Sequence, residues 1–167
     1  MTNLIEEVVD SRVFRNTIGL FATGVTVVAV EAEGEVYGMT ANAVTSVSLE
    51  PMLVLVCVQK EAHLMSFLRQ TDGFSINILS EQQQNLSSYF AHMWPHPEPP
   101  AFTFIPWLGG PRLEGAIGAI ACRTREFLEG GDHWIVVGRV IGLYRAENPA
   151  NPLLYYRGQY RRILAGR

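Results

Sequence analysis

Residues 37–60 read YGMTANAVTSVSLEPMLVLVCVQK, and the rest of the chain is interpreted around this stretch. In its first half, small polar side chains recur at even positions: Thr40, Asn42, Ser46 and Ser48. Because alternate side chains of a strand point to the same face, this row could line a cleft with hydrogen-bonding groups, with a bend where Val44 interrupts it. The second half, residues 52–58, is apolar without alternation, which indicates a strand buried on both faces.

The composition of the 167 residues indicates an ordered globular protein. Hydrophobic residues make up 48% and charged residues 17%, which argues against a disordered tail. We find no repeat and no linker, so residues 1–167 are interpreted as a single domain. The formal net charge of -3 argues against nucleic-acid binding, because proteins that bind the phosphate backbone normally carry a basic face.

Sequence signals for export, membrane insertion and metal binding are not recognisable. The opening MTNLIEEVVD lacks the basic and apolar regions of a secretion signal, and no apolar run reaches the roughly 18 residues that cross a bilayer. We therefore expect a cytoplasmic protein. Cys57 and Cys122 each fall in an apolar strand-like run, which is typical of buried reduced thiols. Neither they nor the histidines show metal-ligand spacing, so no metal site is expected.

Periodicity and turn residues predict about six strands and three short helices. The helices are predicted at residues 10–21, 61–70 and 80–90, the last with a Ser80–Gln83 capping box. Strands are predicted at 25–32, from about 36, at 74–78 and in two long runs that flank Gly130-Gly131-Asp132, with a partly irregular segment at 152–163. The order shows no βαβ rhythm, so we expect a mainly β fold, an antiparallel β-barrel with peripheral helices.

Residues 92–111 contain six of the nine prolines together with four aromatic residues, Trp94, Phe102, Phe104 and Trp107. Proline at this density stops both helices and sheet ladders, so an irregular loop is predicted. Its aromatic side chains would not be left in water without cause. They are expected to pack on the body of the protein, on a partner subunit or over a ligand.

Common catalytic motifs are missing from the chain. We find no G-x-S-x-G elbow, no phosphate-binding P-loop, no H-E-x-x-H and no G-x-G-x-x-G after a strand. A reaction whose difficult step belongs to a bound organic cofactor would need few protein groups, since binding, orientation and electrostatics are then enough.

Four blocks of the sequence together resemble the flavin reductase-like family: GMTANAVTSVSLEPMLVLVCV, FSINILSEQQ, GDHWIVVGRV and PLLYYRGQYR. They occur in the family's order, and the resemblance covers the chain from about Phe14 to Tyr160. It implies a split β-barrel of antiparallel Greek-key type that binds FMN and forms a homodimer. It further implies an NAD(P)H-dependent flavin reductase that uses NADH or NADPH with FMN or FAD and supplies a partner monooxygenase with reduced flavin.

The resemblance also implies which residues form the site. Its flavin-binding segment corresponds to Thr40, Ala41, Asn42, Ser46, Val47 and Ser48. The strand end near the flavin corresponds to Cys57, Val58, Gln59 and Lys60. Two shorter motifs correspond to Phe90-Ala91 and Tyr156-Arg157-Gly158. The sequence Gly131-Asp132-His133 matches the family's GDH motif, whose histidine lies near the nicotinamide, so His133 is the catalytic residue that the resemblance implies.

Physical chemistry leaves alternatives open for individual residues. The hydroxyl row could be a solvated strand face, and His133 could be a turn residue. Lys60 could bind a phosphate, stabilise the reduced flavin or lie on the surface, and Arg157 offers a fork suited to a phosphate or carbonyl. Glu61 departs from the small polar or basic residues often found there in the family. Because Glu61 would repel a phosphate, either it faces solvent or the phosphate contacts shift towards Lys60 and the serines. The sequence therefore leaves both FMN and FAD possible.

Two other functions use the same fold. A non-catalytic flavin-binding or flavin-sensing protein would hold the flavin without turning over a nicotinamide nucleotide. An oxidase of the pyridoxamine-phosphate type would need additional basic residues for its substrate phosphate, and the sequence shows no such cluster.

Overall fold

The computed structural model describes residues 9–164. Residues 1–8, which contain most of the opening without a recognisable secretion signal, lie outside the described residues, as do residues 165–167.

The described chain contains three α-helices, one 3-10 turn and twelve strands. The helices are α1 (Ser11–Ile18), α2 (His63–Leu68) and α3 (Gln84–Phe90), and the 3-10 turn (Glu81–Gln83) precedes α3. The strands are β1 (Thr23–Gly24), β2 (Thr26–Ala32), β3 (Glu35–Ala41), β4 (Val44–Leu49), β5 (Met52–Gln59), β6 (Gly73–Ile78), β7 (Phe104–Ile105), β8 (Arg112–Leu113), β9 (Gly118–Gly130), β10 (His133–Arg145), β11 (Leu154–Tyr156) and β12 (Gln159–Arg161).

Seven strands form one antiparallel sheet in the order β3-β2-β6-β9-β10-β5-β4. The consecutive strands β3 and β4 lie at opposite ends of this order, although only Asn42 and Ala43 separate them in the chain. A sheet whose two edges are joined by so short a connection must curl round, and β3 contacts β5 across the gap. The predicted antiparallel split barrel with peripheral helices is therefore confirmed.

Two apolar clusters stabilise this arrangement. The first fills the barrel with side chains from β2, β5, β6 and β10, and α2 adds Leu64, Met65 and Leu68 at one end. The second lies outside the barrel between β2, α3 and the C-terminal segment, with Val27, Phe90 and Leu153 among its members. Fully burying an aliphatic side chain contributes about 1.5–3 kcal/mol, so these clusters dominate the stability of the fold.

The prediction that β5 is buried on both faces is wrong. Val54, Val56 and Val58 point into the barrel and are buried, whereas the alternate residues Leu53 and Leu55 are only half-buried. An apolar run without alternation predicts two covered faces, but the described residues cover the outer face of β5 only in part.

The polar row of residues 40–48 is also divided differently from the prediction. The chain leaves β3 at Ala41 and enters β4 at Val44, so the break falls at Asn42-Ala43 and not at Val44. A register shift at Val47, between Ser46 and Ser48, interrupts the alternation a second time. The row therefore lies on two strands at opposite edges of the sheet.

The ends of several elements differ from the predicted ones. Helix α1 is capped by Asp10, whose Oδ1 accepts from the Arg12 and Val13 amides at 2.8 and 3.1 Å, but it ends at Ile18 and not at Phe21. Helix α2 is shorter than the predicted 61–70. The closing segment is more regular than expected, because β11 pairs with β12 and with β1 to form a small separate sheet.

The loop of residues 92–111 is irregular apart from β7, and it covers the outer face of β6. Ser75 of β6 donates from Oγ to the Pro111 carbonyl at 2.5 Å. Asn77 accepts from the Leu113 amide at 2.8 Å and donates to the Val27 carbonyl at 3.1 Å. The aromatic residues Phe102 and Phe104 pack against Phe90 of α3, so this part of the loop is anchored on the body of the protein.

Gly110 lies where this loop contacts the sheet backbone directly. A Cβ added at Gly110 would lie 2.6 Å from the Ser75 nitrogen and 2.7 Å from the Ala29 oxygen, both backbone atoms that cannot move aside cheaply. We expect Gly110→Ala to lower the free energy of unfolding by about 1–3 kcal/mol, measured by urea denaturation.

Gly24→Ala is the matched control, because nothing lies within 4 Å of a Cβ added there. If both variants unfold at the same urea concentration as the wild-type protein, that result would contradict a direct contact between Gly110 and the sheet backbone.

Candidate functional site

The turn between β9 and β10 meets the end of β5. His133 is the register partner of Gln59, and the Lys60 amide donates to the Asp132 carbonyl at 3.0 Å. Backbone pairing thus brings together four of the predicted site residues from two distant parts of the chain.

Asp132 and His133 form a hydrogen-bonded pair at this turn, with Asp132 Oδ1 2.7 Å from His133 Nδ1. The hydrogen bond and the charge of the imidazole lower the pKa of the Asp132 carboxyl, and the positive charge of Arg15 adds a smaller effect in the same direction. The Asp132 carboxylate is therefore ionised at neutral pH. It favours the tautomer in which His133 carries a proton on Nδ1, which leaves Nε2 to accept.

A second set of contacts starts from the same strand end. The Cys57 amide donates to the Ala43 carbonyl at 3.0 Å, which fixes the Asn42-Ala43 connection beside β5. The Asn42 side-chain nitrogen donates to Thr23 Oγ1 at 3.3 Å, and Thr23 pairs with Tyr155. The connection between β3 and β4 is thereby joined to the C-terminal sheet.

The C-terminal sheet contacts the segment that follows α1. The Arg157 amide, next to Tyr156, donates to the Gly19 carbonyl at 2.8 Å, immediately after α1. Arg15 lies on α1 and is close enough to Asp132 to influence its pKa. We call this set of residues the rim: Arg15, Asn42, Cys57, Gln59, Lys60, Asp132, His133, Tyr156 and Arg157.

Lys60 and His133 point to different sides of the sheet. Directly paired residues of antiparallel strands share a face, so Trp134 shares its face with both of its partners, Val58 and Glu129. The Lys60 ammonium lies on this side, 3.1 Å from Glu129 Oε1 and 5.1 Å from the centre of the Trp134 ring. His133 and Gln59 occupy the opposite face.

Several predicted site residues lie outside the rim. Ser46 pairs with Val54, five residues before Gln59, which places it roughly 17 Å along the strand. Val47 and Ser48 lie beyond it. Thr40 donates from Oγ1 to the Ser87 carbonyl at 2.7 Å, so it lies with Phe90 and Ala91 on the α3 side.

Buried side chains limit what some predicted site residues could do. Phe90 belongs to the second apolar cluster, and the Val58 side chain is fully buried in the barrel. Ala41 is also buried. For Val58 and Ala41, only backbone groups could meet a ligand.

The sequence interpretation did not identify Arg15 or Glu129. Arg15 shows only the ordinary signal of a cation in the last turn of a helix. Glu129 directly precedes the Gly130-Gly131 turn, and its position opposite Trp134 depends on the hairpin register. A register assigned from the turn would have identified Glu129.

Residues 9–164 contain no group of three or more histidine, cysteine, aspartate or glutamate side chains that could hold a metal ion. Within the same range, none of the helices has the length and apolar character needed to span a membrane.

Comparisons with known proteins find related sequences and structures. The sequence profile of the "Flavin reductase like domain" family matches residues 18–164. An "NADH-dependent flavin reductase" of Rhodococcus sp is 41% identical over 157 residues, covering 92% of this chain and 87% of that protein. The "Flavin-dependent monooxygenase, reductase subunit HsaB" of Rhodococcus jostii is 36% identical over 158 residues, covering 92% and 78%.

A solved structure shows the same arrangement of the chain. The "NADH:FAD oxidoreductase SgcE6 in complex with NAD and FAD fragments" of Streptomyces globisporus superposes with a TM-score of 0.84 at 36% sequence identity. The match covers 95% of this chain and 98% of that one.

The two thiols provide a test of burial at and near the site. Burial raises the pKa of the half-buried Cys57, and it raises the pKa of Cys122 to about 12. Since only the thiolate reacts, both thiols stay protonated and slow at pH 8. We expect iodoacetamide to label the native protein at least about tenfold more slowly than the urea-unfolded chain, with the difference shrinking as the pH rises.

The Cys57→Ala variant separates the two thiols, because the remaining native signal then comes from Cys122 alone. Equal labelling rates for the native and unfolded chains at pH 8 would contradict the raised pKa values.

Proposed function

This chain belongs to the flavin reductase-like domain family, and on that premise we propose that it is an NAD(P)H-dependent flavin reductase that supplies reduced FMN or FAD to a partner monooxygenase. The observation that carries the proposal is the Asp132–His133 pair held at the end of β5, beside Gln59 and Lys60. The relatives named as an NADH-dependent flavin reductase and as the reductase subunit of a monooxygenase support the reaction and its partner.

The side chains of the rim fit a flavin nucleotide. Asn42 and Arg157 are exposed and offer an amide and a guanidinium, which suit ring carbonyls and phosphate oxygens. The small residues on either side of Asn42 allow a flat ring to approach the backbone. Arg15 adds a second cation beside Asp132. The amide of Asn42 together with the guanidinium groups of Arg157 and Arg15 suits an anionic ligand that carries a polar ring.

We extend the proposal to all residues that the family resemblance implies. Those of the rim would contact the flavin directly, and the hydroxyls of β3 and β4 would contribute from its margin. The full set is Thr40, Ala41, Asn42, Ser46, Val47, Ser48, Cys57, Val58, Gln59, Lys60, Phe90, Ala91, Asp132, His133, Tyr156 and Arg157.

His133 is proposed to orient the nicotinamide. With Nδ1 bonded to Asp132, its Nε2 accepts a hydrogen bond from the nicotinamide carboxamide and fixes which ring face is presented. Hydride transfer from nicotinamide to flavin is the chemistry of the two bound molecules. The protein binds them, aligns them and holds the imidazole in one tautomer.

We propose that the chain is one domain and works in the cytoplasm. The two apolar clusters both contain residues of β2, which supports one folding unit. The free thiols Cys57 and Cys122 and the need for a reduced nicotinamide nucleotide support a reducing compartment.

We further propose a homodimer. Leu49 is 88% exposed and Phe21 is 73% exposed, and the outer face of β5 is apolar and only partly covered. An apolar strand face that its own chain covers only in part is typical of an interface between copies of a chain. It adjoins the rim at Cys57, so a second copy would cover the site from outside.

Steady-state turnover tests the function. We expect NADH or NADPH to be oxidised when FMN or FAD is present, followed as loss of nucleotide absorbance with bleaching of the flavin band without oxygen. A tightly bound flavin without nucleotide oxidation would instead favour the flavin-binding or flavin-sensing function. The measurement is made for each nucleotide with each flavin.

His133→Ala then tests the proposed catalytic residue. Loss of one hydrogen bond to the carboxamide should lower kcat/KM for the nucleotide by about three- to tenfold, with little change in KM for the flavin. His96→Ala is the control, because His96 is exposed in the loop of residues 92–111, where its ring contacts Trp94. Equal losses in both variants would contradict the role of His133. A separate variant, Ser46→Ala, measures how far the site extends along β4.

The dimer is tested by sedimentation. We expect the wild-type protein to sediment as a dimer at micromolar concentration, and Leu53→Asp with Leu55→Asp to shift it towards the monomer, because both place a charge on the apolar outer face of β5. A monomer in the wild-type protein rejects the proposal. Val36→Asp, which places the same charge at an exposed apolar position of β3, is the control.

A further inference from the structure

Lys60 is held by two residues of the long hairpin. Its ammonium lies 3.1 Å from Glu129 Oε1 and 5.1 Å from the centre of the Trp134 ring. Glu129 and Trp134 are direct cross-strand partners, so the pairing of β9 with β10 fixes both at once. The contact is therefore a product of the hairpin register.

The backbone of Lys60 is fixed while its side chain can move. Its amide donates to the Asp132 carbonyl at 3.0 Å, which anchors the residue beside the catalytic pair. The Lys60 side chain is 33% exposed and that of Glu129 is 72% exposed. Water screens such a pair, so it is weak and another anion can displace the carboxylate.

Trp134 does not depend on Lys60 for a cationic neighbour. The Arg69 guanidinium lies 4.3 Å from the centre of the Trp134 ring and 4.8 Å from that of Phe127. When the Lys60 ammonium leaves, the indole keeps Arg69 and its packing against the barrel core. The departure of Lys60 thus disturbs little besides its own pair with Glu129.

We propose that Glu129 is a positioning residue that competes with the flavin phosphate for Lys60 and so sets the affinity for phosphorylated flavins. The inference rests on the proposed function, in which Lys60 meets the flavin nucleotide. In this structure the ammonium is paired with Glu129 on the Trp134 side. The flavin phosphate replaces that carboxylate, and part of its attraction to Lys60 is lost in breaking the existing pair.

This competition suits an enzyme that must release its product. A reductase that supplies a second enzyme needs a flavin that exchanges, and an internal anion that recaptures Lys60 favours departure of the phosphate. Glu129 therefore weakens flavin binding without taking part in the reaction.

Glu129→Gln tests the proposal, because it removes the charge and keeps the shape. KM and the dissociation constant for FMN and for FAD should fall by about two- to fivefold at low salt, with kcat for nucleotide oxidation unchanged. Riboflavin lacks the phosphate, so its constants should not change. Binding is measured by quenching of flavin fluorescence and turnover by nucleotide oxidation.

Two further variants make the test specific. In a Lys60→Met background the Glu129→Gln change should give no gain for FMN, because the shared partner is gone. Glu126→Gln makes the same charge change at an exposed position three residues earlier on β9 and should leave the FMN constants as they are.

The outcomes separate the inference from the proposed function. An equal shift for FMN and riboflavin, a gain that survives in Lys60→Met, or no shift at all would overturn the role of Glu129 even when nucleotide is oxidised normally. A phosphate-specific shift in binding without nucleotide oxidation would support Glu129 and reject the reductase.

Discussion

The pairing of β9 with β10 is the interaction on which the rest of the structure depends. Their ladder runs from His133 opposite Gly130 to Arg145 opposite Gly118. On its outer sides β9 pairs with β6 and β10 pairs with β5, so the hairpin joins the two halves of the seven-stranded sheet. The same register places His133 beside Gln59 and Glu129 beside Trp134. Barrel and site are therefore specified by one set of backbone hydrogen bonds.

The site gains its electrostatic character from elements that are distant in sequence. Asp132 is hydrogen-bonded to His133, and its pKa is also lowered by the charge of Arg15, while Lys60 lies on the other side of the sheet and pairs with Glu129. Two carboxylates thus have separate partners on the two sides of one strand end. One orients an imidazole, and the other pairs with an ammonium.

Most of the fold could be predicted from the sequence, because alternation, turn residues and the Asp10 and Ser80 caps are local signals. The outer face of β5 was mispredicted, since an apolar run does not reveal whether this chain or another covers it. The family motifs implied that Lys60 and Asp132 belong to one site, and their backbone contact was found only in the structure. The Arg15 and Glu129 contacts were not predicted, because they depend on helix placement and hairpin register, which local patterns do not encode.

The loop that covers β6 affects how the protein unfolds. Ser75 and Asn77 are buried polar side chains whose partners include the Pro111 carbonyl and the Leu113 amide. Lifting the loop would break these two hydrogen bonds and uncover the outer face of β6. A segment dense in proline and without regular structure is therefore not a loose flap. Its hydrogen bonds to β6 and the close approach of Gly110 to Ser75 join it to the central strands, and we expect it to unfold together with them.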